Sequence, residues 1–333
     1  MSTEVTVIIP AFNEGLKIQR CIDSLLVQTI VPNIIVVNDG STDDTLDKLT
    51  KYEPLKNFSL INQKNQGVSA ARNRGIKATT TDFVTFVDAD DYVEKKFVET
   101  LLDGFSIENN IDLSICNYSM QSLNSDTTFY GNFNSSVINR FEYFNSVIDE
   151  MGVNGFIYNK LFKKSIIDNN HISFDSQVAI GEDFLFCFLY GNYCKKIALN
   201  DSMQIHYLPT ESGASDIMQI DGRFSNKMFD YFFANLRIVK YLNSLDSNEK
   251  MKPIINKEIC RTAIAANTII RKSYLYNSGY EKLDQLTTFL RENWHIIKAS
   301  KSLNVSTKAK ILMSLYCPKL LSQFDKMKFK GIY

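Results

Sequence analysis

Four short apolar runs dominate the first third of the chain: Val5 to Pro10, Asn33 to Asn38, Phe58 to Asn62 and Phe83 to Val87. Each is followed by a segment with helical spacing. Ile18, Ile22, Leu25 and Leu26 mark the first helix, and Ser41 as N-cap with Asp44 three residues on signals a second, through about Tyr52. Val68 to Ala78 reads as a third, and about Glu94 to Glu108 as a fourth, before a strand from Asp112 to Cys116. Repeated strand-then-helix order predicts parallel strands joined by crossover helices, covered on both faces. Such sheets bind ligands beyond the carboxyl ends of their strands. The residues to inspect are therefore Asn13 and Glu14, Asp39, Asn65, and Asp88 to Asp91.

The fourth run ends in acid. Phe83-Val84-Thr85-Phe86-Val87 leads directly into Asp88-Ala89-Asp90-Asp91. Three carboxylates within four residues repel one another, and desolvating them is costly unless a cation compensates. A strand that delivers Asp-x-Asp to a loop suits a hard divalent ion such as Mg²⁺ or Mn²⁺. Such ions are often shared between one or two carboxylates and a substrate's phosphates.

Beyond residue 117 the pattern loosens. Tyr118 to Arg140 is rich in Asn, Ser and Thr and reads as an irregular excursion. Lys160-Leu161-Phe162 follows, then Gly181-Glu182-Asp183, which opens a helix to about Tyr190. Ser202 to Leu208 reads as a further strand. From about Asp221 helical periodicity takes over, at Phe224 to Leu242, Pro253 to Tyr276 and Tyr280 to Leu290. These shifts predict a domain over residues 1–218, with halves of about 1–117 and 118–218, and a helical domain over 219–333.

Charge and cysteine usage exclude some classes. Lys plus Arg and Asp plus Glu are both 37, so there is no basic footprint for nucleic acid. The six cysteines form no C-x-x-C pair and read as small buried hydrophobes in a reducing compartment. No signal-peptide pattern precedes the first strand, and no apolar run approaches the ~20 residues of a membrane span. A cytoplasmic protein is expected. After Ser300, seven lysines and one acid are interleaved with Ile311, Leu312, Leu315, Leu320 and Leu321. That composition fits peripheral contact of residues 301–333 with an anionic membrane surface, or a helix packed on its own domain with lysines in water. The apolar helices before it could bind acceptor, pack on the first domain, or form a homo-oligomer.

Taken in order, these residues resemble the family-2 glycosyltransferases. The resemblance rests on Val7-Ile8-Ile9-Pro10-Ala11-Phe12-Asn13-Glu14, Val37-Asn38-Asp39-Gly40-Ser41-Thr42-Asp43, Asn65-Gln66-Gly67 with Ala70-Ala71-Arg72-Asn73-Arg74-Gly75, and Asp88-Ala89-Asp90-Asp91. Lys160-Leu161-Phe162 and Gly181-Glu182-Asp183 complete it. It covers roughly residues 4 to 210.

The resemblance implies a GT-A fold: a Rossmann-like, mostly parallel sheet with helices on both faces, here followed by an α-helical C-terminal region. It implies inverting transfer from a UDP-sugar to a hydroxyl of a glycan or lipid-linked glycan acceptor, in cell-surface polysaccharide synthesis. Pro10, Ala11, Phe12, Glu14 and Asp39 would line the uridine site, with Asp39 accepting from the uracil ring. Asn65 and Arg72 would flank the base and the ribose-diphosphate, and Asp88 with Ala89 the ribose. Asp90 would bind the divalent metal, Mn²⁺ or Mg²⁺, with His206 as a further metal contact. Lys160 would touch the acceptor or diphosphate. Asp183, or alternatively Glu182, would be the general base.

Two other classes compete. A nucleotidyltransferase would want a glycine-rich, basic first loop, which Pro10-Ala11-Phe12-Asn13-Glu14 lacks. A non-catalytic scaffold that binds nucleotide sugar would not need acids at 88, 90 and 183.

Overall fold

A computed structural model describes residues 5–121, 128–149, 152–208, 224–245 and 249–329. The chain divides into two compact units, residues 1–210 and 211–333. The boundary expected near residue 218 lies outside the described residues.

In the first unit β1 (Val5–Ala11), β2 (Asn33–Asn38), β3 (Phe58–Asn62) and β4 (Phe83–Phe86) are parallel, in the order β3-β2-β1-β4. All seven residues of β1 are buried, as a strand covered on both faces requires. Helix α1 (Ile18–Leu26) buries Ile18, Cys21, Ile22 and Leu25, each full aliphatic burial contributing ~1.5–3 kcal/mol. α2 spans Thr45–Thr50 and α3 Val68–Ala78. On α3, Gly75 lies so close to β1 that a Cβ there would stand 2.4 Å from Ile8 Cγ2. The chain fills one side of β1 with β2 and β3, then returns to the other side as β4. The reversal places the residues after β1 beside those after β4, where a ligand crevice is expected.

The remainder corrects the expected pattern in three places. The sheet is mixed, continuing past β4 through β9 (Lys160–Lys163), β6 (Ile111–Gln121), β10 (Lys196–Tyr207) and β5 (Tyr92–Val93). β9 runs antiparallel to both β4 and β6, and β5 antiparallel to β10. The polar stretch after residue 117 is not irregular throughout. β6 extends to Gln121 and takes on β7 (Thr128–Tyr130), while β8 (Ser136–Asn139) pairs with β10. Its polar side chains are satisfied by partners remote in sequence, such as Asn117 Nδ2 donating to Gly131 O over 2.8 Å. Finally, the second helix starts at Thr45 because Ser41 is engaged elsewhere: its Oγ accepts the Asn13 N–H over 3.0 Å. α4 (Phe97–Asp103), α5 (Arg140–Ile148), α6 (Lys164–Asn169) and α7 (Glu182–Gly191) complete this unit.

The second unit is helical: α8 (Lys227–Ser244), α9 (Met251–Tyr276), α10 (Leu283–Glu292), α11 (Trp294–Ala299), α12 (Val305–Tyr316) and α13 (Pro318–Phe329). Phe232, Ala263, Ile269, Leu286, Ile297 and Ile311 share its core. Among the described residues no helix is long and apolar enough to cross a membrane. Five cysteines are buried, but Cys317 is exposed between α12 and α13.

Candidate active site

The site gathers at the carboxyl ends of β1 and β4. Pro10 and Ala11 are buried at the end of β1, and Phe12 projects to the surface. Asn13 turns the chain with φ +57°, and its carboxamide accepts the Thr42 N–H over 2.8 Å. Glu14 and Asp90 meet at Lys17, whose Nζ lies 3.6 Å from Glu14 Oε2 and 3.7 Å from Asp90 Oδ2. Burial, and then each other's charge for Glu14 or Asp88 for Asp90, pushes both carboxyls above their ordinary values.

Asp39, just after β2, is buried and holds the next loop. Its Oδ1 accepts from Gln63 Nε2 (2.8 Å) and the Gln66 N–H (2.9 Å), and its Oδ2 from the Gly67 N–H (2.8 Å). Three of its four acceptor positions are thus used to shape the Asn65–Gly67 turn, and one is left for a ligand donor. Asn65 is exposed on that turn.

Arg72 joins two distant parts of the chain. Only 4% exposed on α3, it donates from Nη1 to Glu182 Oε1 over 2.7 Å and from Nη2 to Asp88 Oδ1 over 3.0 Å. Burial opposes the guanidinium charge, and Asp88 and Glu182 more than offset it, so its pKa rises. Phe174 lies under it, 5.4 Å from Cζ. Phe174 is fixed by Asn73, whose carboxamide donates to its C=O and accepts its N–H, both at 2.8 Å. Gly181, with φ +89° where a side chain would be strained, turns the chain into α7. Glu182 and Asp183 therefore sit in the first turn, where the helix dipole favours anions. Glu182 is spent on Arg72. Asp183 accepts only the Phe184 N–H (2.8 Å) among the described contacts, and burial, then the charge of Glu182, pushes its carboxyl up to about 7.

Two of the expected contact residues are engaged within the protein. Lys160 is fully buried, its Nζ donating to Val153 O (3.2 Å), Asn154 O (2.9 Å), Phe156 O (2.6 Å) and Asn159 Oδ1 (2.9 Å). Three N–H groups facing four oxygens leave none for diphosphate or acceptor. The lysine pins the 153–159 loop instead. His206 is likewise engaged at both ring nitrogens, Nδ1 with Ser119 Oγ and Nε2 with Glu94 Oε1, each at 2.7 Å, and it stacks on Tyr92. Both ring nitrogens thus already have a protein partner.

The donor set at Asp88 and Asp90 fits a hard divalent cation. Both are oxygen donors in one turn, and the raised Asp90 carboxyl lacks compensating charge beyond Lys17. Among the described residues no three His, Cys, Asp or Glu side chains converge as a metal site.

Some participants escaped the sequence reading. Lys17 is one, and Arg20 another: its Nη2 donates to Asp90 O over 2.6 Å while its guanidinium lies over Tyr92. Two cations one helical turn apart at the start of α1 were the available signal. Asp91 is buried, accepts the Leu208 N–H on Oδ1 (3.0 Å), and has no partner on Oδ2 among the described residues.

Comparison with known proteins places this geometry. A sequence model of Glycosyl transferase family 2 matches residues 6–166. The chain is 31% identical over 231 residues to the putative glycosyltransferase EpsH of Bacillus subtilis (strain 168), a match covering 68% of this chain and 65% of that protein. It is 29% identical over 235 residues to the poly(ribitol-phosphate) beta-N-acetylglucosaminyltransferase TarP of Staphylococcus aureus (strain N315), covering 68% and 69%. The crystal structure of S. aureus TarS 1–349 in complex with UDP-GlcNAc superposes with a TM-score of 0.69 at 18% identity, over 98% of this chain and 92% of that one. That likeness concerns the fold, a mixed α/β sheet of GT-A type followed by helices.

Proposed function

We propose, because the chain belongs to glycosyl transferase family 2 through residues 6–166, that it transfers a sugar from a UDP-sugar to an acceptor hydroxyl with inversion. The acceptor is a glycan or lipid-linked glycan of a cell-surface polymer. The observation that carries this reading is the single buried guanidinium of Arg72 held between Asp88 after β4 and Glu182 at the start of α7. It ties the acidic turn to the helix that begins with Glu182 and Asp183.

The residues divide the work as follows. The turn after β1 and the loop held by Asp39 receive the uridine, with Asn65 and Phe12 exposed at its edge. Asp88 and Asp90 face the ribose and diphosphate. They would hold Mn²⁺ or Mg²⁺, which, when bound, neutralises charge on the leaving diphosphate as a Lewis acid. Asp183 takes the proton from the acceptor hydroxyl. With its carboxyl near 7 it is ionised in a useful fraction at neutral pH while still basic enough to accept. Glu182 is a positioning residue: it orients Arg72 and raises Asp183.

Calorimetric titration with UDP, GDP, CMP and ATP, with and without Mn²⁺, tests the donor assignment. Metal-dependent binding of UDP alone is expected. Preference for another base, or binding of none, would overturn it.

A further inference from the structure

Helices α12 and α13 end the described chain with an apolar stripe turned outward. Val305, Leu312 and Tyr316 recur at helical spacing along α12, and Val305 is 83% and Tyr316 71% exposed. Leu320 and Phe324, one turn apart on α13, continue it at 48% and 50% exposed. The opposite faces are already used: Ile311, Leu315 and Leu321 are buried. The stripe is therefore not the side that packs the unit's own core.

The charges around it have one sign. Lys301, Lys310, Lys319 and Lys326 are all exposed, and none is in an ion pair among the described residues. The segment's lone acid, Asp325, is turned inward, where its Oδ2 accepts from Arg271 Nε over 2.9 Å. On α13, Lys319 and Lys326 lie on the exposed side of the helix about a quarter to half a turn from Leu320 and Phe324.

We infer that this face of α12 and α13 docks on an anionic lipid surface, with the apolar stripe entering the headgroup–acyl boundary and the lysines meeting lipid phosphates. The charge pattern decides against the obvious alternative. A second copy of the segment would offer these exposed lysines only more lysine, its one acid being turned inward, whereas acidic headgroups complement them. A soluble polyanion would satisfy the lysines but leave the stripe in water. Exposed bulky apolar side chains, with long lysine stems on the remaining exposed sides of the same two helices, fit the interface of a bilayer.

The test uses the full chain without nucleotide or acceptor, so it stands apart from the activity reading. Flotation is measured with vesicles of pure phosphatidylcholine and with vesicles containing phosphatidylglycerol. At least tenfold stronger binding to the anionic vesicles is expected, weakening with salt. Two triple variants follow: Lys310→Glu with Lys319→Glu and Lys326→Glu, and Val305→Ser with Tyr316→Ser and Phe324→Ser. All substituted positions are exposed, and unchanged circular dichroism and Tm check folding. Each variant should lose at least tenfold in vesicle binding. Equal binding to both vesicle types overturns the inference. So does a wild-type dimer that the serine variant dissociates, or loss in the lysine variant alone with equal competition by soluble polyphosphate.

Discussion

Arg72 Nη1 stands 2.7 Å from Glu182 Oε1, across 110 residues of sequence, while Nη2 of the same guanidinium holds Asp88. One cation thus sets the spacing between the acidic turn and the helix that carries the candidate base. Because the bridge is buried, its carboxylates cannot be replaced by water at little cost.

Replacing Asp183 by Asn removes the base and leaves the bridge intact. Turnover is expected to fall by about 10²–10⁴-fold with UDP affinity unchanged. The wild-type rate should rise with pH through an acid limb near 7, since the raised carboxyl must lose its proton to act. The variant's residual rate should lack that limb. Steady-state kinetics across pH, paired with calorimetry, read both; loss of UDP binding would move Asp183 into the nucleotide site.

Glu182→Gln separates positioning from chemistry. Removing the neighbouring negative charge lowers the Asp183 carboxyl, so the acid limb should move to lower pH. Arg72 loses one partner in a buried setting, which costs about 3 kcal/mol. Denaturant unfolding measures the second effect and the pH–rate profile the first. An unmoved limb would leave Glu182 a merely structural role.

Stability should follow the same carboxyl. Asp183 is raised from 3.8 to about 7 on folding, so between those values the folded protein holds the extra proton. Its contribution to stability is present below about 4 and is lost as pH rises through 7. Asp183→Asn should flatten the stability profile in that window, measured by denaturant midpoint against pH.

Lys160→Met should unfold the loop rather than block ligand. It orphans the Val153, Asn154 and Phe156 carbonyls, and a loss of roughly 3 kcal/mol, or about 6–12 °C in Tm, is expected. UDP affinity measured below the transition should be preserved. A tenfold loss of UDP affinity without a Tm change would restore Lys160 to the donor site.

Asp90→Asn should abolish the Mn²⁺ dependence of UDP binding while Tm holds within a few degrees, since the ion pair Asp90 makes among the described residues is a long one, 3.7 Å to Lys17, and its other charged neighbour, Asp88, repels it. Retention of the metal response would assign the ion elsewhere.

The first four strands were legible because parallel strands buried on both faces are nearly continuous apolar runs. The acidic turn and Gly181-Glu182-Asp183 were legible as motifs. Asn117 and Ser119 concealed the second half of β6, because their partners, Gly131 and His206, lie far along the chain. The fate of Lys160 was hidden for a different reason, since its partners lie within seven residues but are main-chain oxygens of a loop whose path the sequence does not show. An ammonium's need for water disappears only once carbonyls from 153 to 156 fold back around it. That Arg72 pairs with Glu182 rather than Asp183, on which the proposed choice of base rests, could likewise be seen only in space.

The grip of Asn73 on Phe174 engages only main-chain atoms of residue 174. Any amino acid except proline could offer the same N–H and C=O. The ring of Phe174 is held separately, buried against Phe86 and Phe186 and beneath Arg72, so the path that delivers Asp183 is fixed twice, once through main chain and once through packing. Two independent anchors mean that a smaller side chain at 174 would loosen the support under Arg72 while the Asn73 clasp still held the chain's course toward Gly181.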